Sequence, residues 1–372
     1  MASELGRDSY CVRGPWKWVF EEALPQCECF ASRRSLLGEA QRPRDRATTA
    51  NFIFRSSLLE RVVTGDSTVF DGLENKDLFC STMKKYAPKT IPLSILLPYD
   101  CHLVPSYDFS FPSIPAVLKT AMGSCGDGVW FVFDKEEVME KVKSNYERAH
   151  AEPNFMESIM FQCQRIPAWV LCEEIKSFRI MGNRKFHLRT YVLVLEPIDN
   201  AQNPLVFIYN RHHEVRVAAQ AMSDIDCGKR ERKEHITNGA QGSETIRLLL
   251  DNVPEICHLR PRLENFVAET FGNLLIKEFK ERINLDRIVR VPSREKFAIC
   301  GLDVMVDREQ NFQILEVNRN PAAPPSNVIE DPGFKEHLVS FARDLHAVLR
   351  DPKESDGRHG FVRTCNLSRE DK

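Results

Sequence analysis

Residues 301–318, Gly-Leu-Asp-Val-Met-Val-Asp-Arg-Glu-Gln-Asn-Phe-Gln-Ile-Leu-Glu-Val-Asn, constrain the chain more than any other stretch. Two apolar-rich runs flank a polar turn, which is the pattern of a β-hairpin. With the turn centred on Glu309-Gln310, Met305 faces Ile314 and Asp303 faces Glu316, and period-two alternation puts Asn318 on the same side as Glu316. Like charges directly opposed in a sheet destabilise it. A divalent cation reverses that sign, and Mg²⁺ favours carboxylate and amide oxygens supplemented by phosphate. Asp303, Glu316 and Asn318 are therefore candidate metal ligands. An acidic pair is ordinarily just solvated, but here the neighbours are apolar and Asn318-Arg319-Asn320-Pro321 follows at once.

Two further stretches carry cations suited to an anionic ligand. Lys119 ends the apolar run 116–119, and Gly123-Ser-Cys-Gly126-Asp-Gly128 precedes a second apolar run at 129–133. Glycines let backbone N–H groups approach phosphate closely, and the lysine adds a point charge. No Gly-Lys-Ser/Thr is present and a strand follows where a Walker loop needs a helix, so the segment reads as a glycine-rich hairpin over a nucleotide, or as an ordinary tight turn. In Lys185-Phe-His187-Leu-Arg189-Thr-Tyr191, alternation puts Lys185, His187 and Arg189 on one strand face, where they need solvent or an anion. Arg211 and Arg216 lie beyond the next strand, placed to bind a γ-phosphate or an amino-acid carboxylate, or to form surface ion pairs. His212 and His213 read as surface residues.

A net charge of -2 excludes a bulk cationic nucleic-acid binder. No apolar run approaches the roughly 20 residues of a membrane-spanning helix, and Glu4, Arg7 and Asp8 interrupt anything resembling a secretory leader. The 12 cysteines are irregularly spaced, with Cys27 and Cys29 the only close pair, so a zinc site is not indicated and reduced thiols in a cytosolic protein are expected. Residues 1–45 are poorly patterned, although Trp16-Lys17-Trp18-Val19-Phe20 would dock on the body. An N-terminal lobe is expected over 46–105, with a helix at 75–86 ended by Pro88, then a main body over 106–350 and a disordered polar tail over 351–372. Within the body, strands are expected at 169–175, 186–195 and 205–210, and helices at 136–149 and 263–282. Strands and helices mixed without strict alternation favour α+β architecture.

Together these pieces resemble the tubulin–tyrosine ligase-like family of ATP-grasp ligases. The resemblance rests on Leu118-Lys119 with Gly123, Gly126 and Gly128, on Arg184-Lys185-Phe-His187-Leu-Arg189, and on Arg211 with Arg216. It continues through His235-Ile-Thr237-Asn238, Gly301-Leu-Asp303 and Leu315-Glu316-Val-Asn318-Arg-Asn-Pro321, and Lys76-Asp77-Leu78 is similar to the family's first helix. It spans about residues 50 to 345 and implies an ATP-grasp fold, with mixed and antiparallel sheets and the nucleotide between two lobes, over 106–350. By this likeness ATP lies against Lys119, Gly123, Gly126, the hinge Cys172-Glu173-Glu174-Ile175, Lys185, Thr237 and Asn238. Asp303, Glu316 and Asn318 hold Mg²⁺. Arg189 and Arg211 act in catalysis, and Arg211 and Arg216 bind substrate. The implied activity joins a free amino acid to a protein carboxylate or amine through an acyl phosphate, on tubulin or another acidic protein tail, in a cytoplasmic, cytoskeletal or ciliary setting. The basic stretches at 229–233 and at Arg282, Arg287, Arg290 and Arg294 would form a docking track, or a solvated face. Cys125, His187 and the acidic hinge depart from the family pattern. Cys125 and His187 favour one rival, a nucleotide-binding or microtubule-interaction module with impaired catalysis; a second rival is a ligase for a small metabolite or a non-tubulin peptide.

Overall fold

The structure, a computed structural model, describes residues 9–12, 16–29, 52–56, 61–64, 70, 73–122, 128–151, 166–196, 203–222, 245–277, 295–319, 321, 323–324, 329, 331–352, 357 and 359–367. In chain order the elements are β1 (Ser9–Val12), α1 (Lys17–Ala23), β2 (Glu28–Cys29), β3 (Phe52–Ser56), β4 (Arg61–Thr64), α2 (Lys76–Tyr86), β5 (Ser94–Leu97), β6 (Ala116–Lys119), β7 (Val129–Val132), α3 (Lys135–Ala151) and β8 (Trp169–Glu173). They continue with β9 (Phe186–Glu196), β10 (Leu205–Tyr209), β11 (Glu214–Val217), β12 (Ile246–Leu249), α4 (Arg260–Val267), β13 (Glu295–Val306), β14 (Phe312–Arg319), α5 (Pro332–Arg350), β15 (Phe361–Arg363) and α6 (Thr364–Leu367).

These strands form two sheets. The larger runs β12-β11-β9-β13-β4-β3-β1-β2, with β14 beside β13, β10 beside β9 and β15 beside β10; the smaller runs β5-β8-β6-β7. Pairing is antiparallel except at β1–β2 and β4–β13, so the architecture is mixed α/β with antiparallel sheets rather than doubly wound. The long strands β9 and β13 show why. On β9, Phe186, Leu188, Val192 and Val194 pack with Ala298, Cys300, Leu302 and Val304 of β13 against Leu263, Val267 and Phe271. The alternate residues Leu193, Leu195, Phe297 and Ile299 pack under α5 and α1. Both faces are buried, which explains runs apolar at nearly every position. The smaller sheet has its own core, with Val138 and Val142 of α3 against Leu118, Leu171 and Trp169.

Several expectations need correction. The hairpin of β13 and β14 forms and Asp303 does pair with Glu316, but Val304 pairs with Ile314 and Met305 with Gln313, not Ile314. Leu315 is the extra residue of a β-bulge, which shifts the register by one on the turn side. The helix expected over 263–282 starts at Arg260 and widens into a π-helical turn at Ala268–Gly272, where Thr364 of α6 lies against Gly272. Within the tail from 351, expected to be disordered, β15 pairs with β10, and Phe361 is fully buried against Tyr209 and Phe341. Apolar burial of one phenylalanine is enough to anchor such a strand. Gly123, Cys125, Gly126, Thr237 and Asn238, and the basic stretches at 229–233 and 282–294, lie outside the described residues.

Candidate nucleotide and metal site

The site grows from one row of charges running across four strands. Glu214 on β11, Arg189 on β9, Asp303 on β13 and Glu316 on β14 are successive cross-strand partners. They share the sheet face on which α5 packs over Leu193, Leu195, Phe297 and Ile299, and His337 of α5 lies 3.8 Å from Glu214 Oε1. Arg189 grips Asp303 through two parallel bonds, Nε to Oδ1 at 2.5 Å and Nη2 to Oδ2 at 2.7 Å. Both side chains are buried. Gly301 makes the grip possible, because a Cβ there would meet Arg189 Cδ at 2.6 Å. His187 Nε2 lies 3.4 Å from Asp303 Oδ1. Burial pulls the Asp303 carboxyl upward, but Arg189 and His187 outweigh it and hold the group well below the usual range.

Glu316 and Asn318 complete the cluster. Asn318 Nδ2 is 3.2 Å from both Asp303 Oδ2 and Glu316 Oε1, so the three side chains converge as the hairpin register requires. Amide oxygen and nitrogen exchange places by a flip, which would turn a carbonyl oxygen toward the two carboxylates. The donors are then all oxygen, the set that suits Mg²⁺. Asp303 keeps lone pairs beyond those used by Arg189. The residues therefore fit a hard divalent ion.

A residue not singled out for the site from sequence, Lys76, belongs to it. Its Nζ is 3.7 Å from Glu316 Oε2, and the side chain is buried. Burial and the nearby Lys119 lower its pKa, against Glu316 and Asp303, which raise it. The signal was present in Asn75-Lys76-Asp77, a helix start whose lysine has no business being buried without a partner. Two bonds tie this helix start to the smaller sheet and a third caps it locally. The Lys76 N–H donates to the Ala121 carbonyl at 2.9 Å, just past β6, and the Asp77 carboxylate accepts from the N–H groups of Leu78 and Ala168, each at 2.9 Å.

Lys119 stands at the end of β6, opposite Val129 and Val170, close enough to Lys76 to affect its charge. Across the gap, Lys185 Nζ donates to Glu174 Oε1 at 2.6 Å and lies 5.7 Å from the Phe131 ring centre. That contact ties the larger sheet to the end of β8. There Cys172 and Ile175 are buried, the Glu174 N–H donates to Ser113 Oγ, and Glu173 exchanges bonds with the Leu93 backbone. Lys76 thus links the carboxylate triad to Lys119 of the smaller sheet, and Lys185 links the strand that carries Arg189 to the hinge.

The two remaining arginines are placed differently. Arg216 lies on the site face, buried, with Nε and Nη2 both on Glu214 Oε2 at 3.1 and 2.9 Å. Burial works to raise the Glu214 pKa, yet Arg216, His337 and Arg189 hold it far below the carboxylate range, and the Tyr191 hydroxyl also donates to it. Arg211 is not brought to the triad: it forms a bidentate pair with Asp344 of α5, at 2.8 and 3.0 Å, with Tyr209 beside it. His213 is no surface residue. It is buried between Thr190 Oγ1 at 2.9 Å and Glu264 Oε1 at 3.1 Å, partners that satisfy both ring nitrogens.

A sheet-borne carboxylate pair with an amide between them, with Lys76 of α2 beside Glu316 and Lys119 of β6 near Lys76, has the chemistry to hold a metal-bound polyanion. Residues 73–342 match the tubulin-tyrosine ligase family, and the chain belongs to that family. It is similar to tubulin glycylase 3D of Tetrahymena thermophila, 29% identical over 180 residues that make up 44% of this chain and 16% of that protein. It is also similar to tubulin glycylase 3F of the same organism, 24% identical over 265 residues, 69% of this chain and 27% of that one. The chain therefore spans well under half the length of these relatives. Helix α1 lies outside the family match, yet the Trp16 and Trp18 indoles donate to the carbonyls of Pro321 and Pro324, at 2.5 and 3.2 Å, just beyond Asn318.

Proposed function

We propose that the chain is an ATP- and Mg²⁺-dependent ligase of the ATP-grasp kind that adds an amino acid to a protein tail, with tubulin as the acceptor. The observation that carries this reading is the convergence of Asp303 and Glu316 on Asn318, opposite Lys76 and Lys119. Mg²⁺ held by Asp303, Glu316 and Asn318 would neutralise charge on the transferring phosphoryl group.

The chain's own residues account for the rest. Lys76, Lys119 and Lys185 hold the phosphates between the sheets, and the segment 172–175 flanks the base. A substrate carboxylate attacks the γ-phosphorus, forming an oxygen–phosphorus bond while the bond to the ADP oxygen breaks. An amine then forms the amide bond to the acyl carbon, inorganic phosphate departs and the nitrogen loses a proton. No side-chain nucleophile is needed, so catalysis is positioning and preorganised positive charge. Arg189, fixed by Asp303, supplies a cation that costs no reorganisation at the moment of transfer, and Arg216 supplies one toward the substrate. Arg211 contributes only if its pair with Asp344 opens. The relatives' names make glycine the first donor to test, with glutamate and tyrosine beside it, and a cytoskeletal or ciliary setting follows from a tubulin acceptor.

The test is incubation of the full chain with ATP, Mg²⁺, tubulin and each labelled amino acid in turn. Incorporation that disappears in Glu316→Gln, while the variant melts cooperatively, is the expected result. A second reading, a nucleotide-binding module without catalysis, is favoured by His187 and Arg189, which already neutralise Asp303. Binding of ATP without transfer of any donor would decide for it, and transfer to a short acidic peptide but not to tubulin would move the acceptor elsewhere.

A further inference from the structure

A second row of side chains crosses the same sheet face one step beyond the charged row. His187 on β9, Arg216 on β11 and Arg247 on β12 are successive cross-strand partners. Two arginines directly opposed across a strand pair repel, as like charges at that spacing do. The repulsion is only half relieved. Glu214 accepts both of its bonds from Arg216 on one oxygen, Oε2, and gives its other, Oε1, to the Tyr191 hydroxyl. The Arg247 side chain has no hydrogen bond or ion pair among the described residues, although it is half-buried. Burial and the adjacent Arg216 push its pKa down, Glu214 acting in the opposite sense.

We propose that Arg216 and Arg247 form a clamp for one carboxylate group of a substrate. Guanidinium planes pair with carboxylates in a bidentate manner, and such groups on neighbouring strands offer donors to both oxygens of a planar anion. The charge count selects the ligand. Glu214 cancels Arg216, leaving one net positive charge, which matches a carboxylate and falls short of a phosphate dianion or a triphosphate. Glu214 also fixes the Arg216 plane, so the clamp is half preorganised before the ligand arrives. Two sources carry this chemistry, the free amino acid and the acidic acceptor tail. Which of them fills the clamp rests on the ligase reading, whereas the clamp itself does not.

The test uses the full chain and two variants, Arg247→Gln and Arg247→Lys. Thermal shifts are read with glycine, glutamate, an acidic peptide and inorganic phosphate as probes, and Michaelis constants are read for donor, acceptor and ATP. Loss of a charge-assisted bidentate contact should raise the KM of one carboxylate substrate roughly ten- to a hundredfold in Arg247→Gln, with the KM of ATP within about twofold. Arg247→Lys should recover part of the loss. A rise confined to donor or to acceptor names the source. An unchanged set of constants, a rise confined to ATP, or a thermal shift produced by phosphate alone would overturn the clamp. Stabilisation by a carboxylate probe that Arg247→Gln abolishes, in a chain that transfers nothing, would keep the clamp and remove the ligase reading.

Discussion

The grip of Arg189 on Asp303 gives the sharpest single prediction. Asp303→Asn removes the negative charge and leaves Arg189, only 4% exposed in its side chain, facing an amide that accepts one bond in place of two. Breaking a buried, doubly bonded ion pair by removing one partner costs roughly 3–5 kcal/mol, chiefly through the charge left behind. In a chain of 372 residues that lowers the melting temperature by about 4–6 °C. The measurement is urea or thermal unfolding without nucleotide, so that catalysis does not enter. The pair energy is then isolated by a double-mutant cycle with Arg189→Met. Because the penalty lies in the orphaned cation, the double variant should recover more than half of the single loss. A single variant within about 1 kcal/mol of the parent, or losses in the two single variants that simply add, would refute the account of this row as a buried charge network.

Other outcomes follow from neighbouring groups. Lys76→Met leaves Glu316 and Asp303 opposed without the lysine, so millimolar Mg²⁺ should raise the melting temperature of the variant more than that of the parent, read by calorimetry. Asp303 and Glu214 both titrate below their unfolded values of about 4, so their stabilisation is complete above that pH and drains away as pH falls further; Glu214→Gln should flatten the acid limb of an unfolding series from pH 7 to 3. Trp16→Phe removes the bond to Pro321 and should cost about 1–2 kcal/mol in chemical unfolding, with faster amide exchange in 316–319. Gly360 sits at φ +66° with Asp344 Oδ2 only 2.7 Å from any added Cβ, so Gly360→Ala should destabilise by about 1–3 kcal/mol and displace the Arg211 pair.

What was legible in the sequence was whatever periodicity encodes. The hairpin of 301–318 was legible, and Asp303 was expected opposite Glu316, but that pairing is reached only because the bulge at Leu315 offsets a turn centred one step from where it was expected. The alternation of 185–191 put Lys185, His187 and Arg189 on one face. The bulge at Leu315 was not legible, because one extra residue between two apolar stretches leaves the alternation readable in either register. Partners far away in sequence were equally hidden. Thr190 and Glu264 bury His213, Asp344 takes Arg211, and Pro321 takes the Trp16 indole across 305 positions. None of these pairings has a local signature, since each depends on how β9, α4 and α5 stack. The tail from 351 looked polar by composition, yet composition averages over Phe361, whose burial alone gives β15 a reason to pair.

Along β9 and β13 the boundary between scaffold and site is itself physical. Leu193, Leu195, Phe297 and Ile299 lie under α5, and the next alternate residues on the same face are Tyr191 and Gly301, then Arg189 and Asp303. Tyr191 belongs to both parts: its ring packs on Phe341 at 4.8 Å while its hydroxyl reaches Glu214. Continuing the apolar pattern through 189 and 303 would cost the fold little, since well-packed apolar groups replace buried ion pairs without loss of stability. Stability therefore does not explain why this face turns charged at Arg189 and Asp303. Arg189, Asp303 and Glu316, set in register on neighbouring strands, are the charges that the proposed metal-bound nucleotide would use.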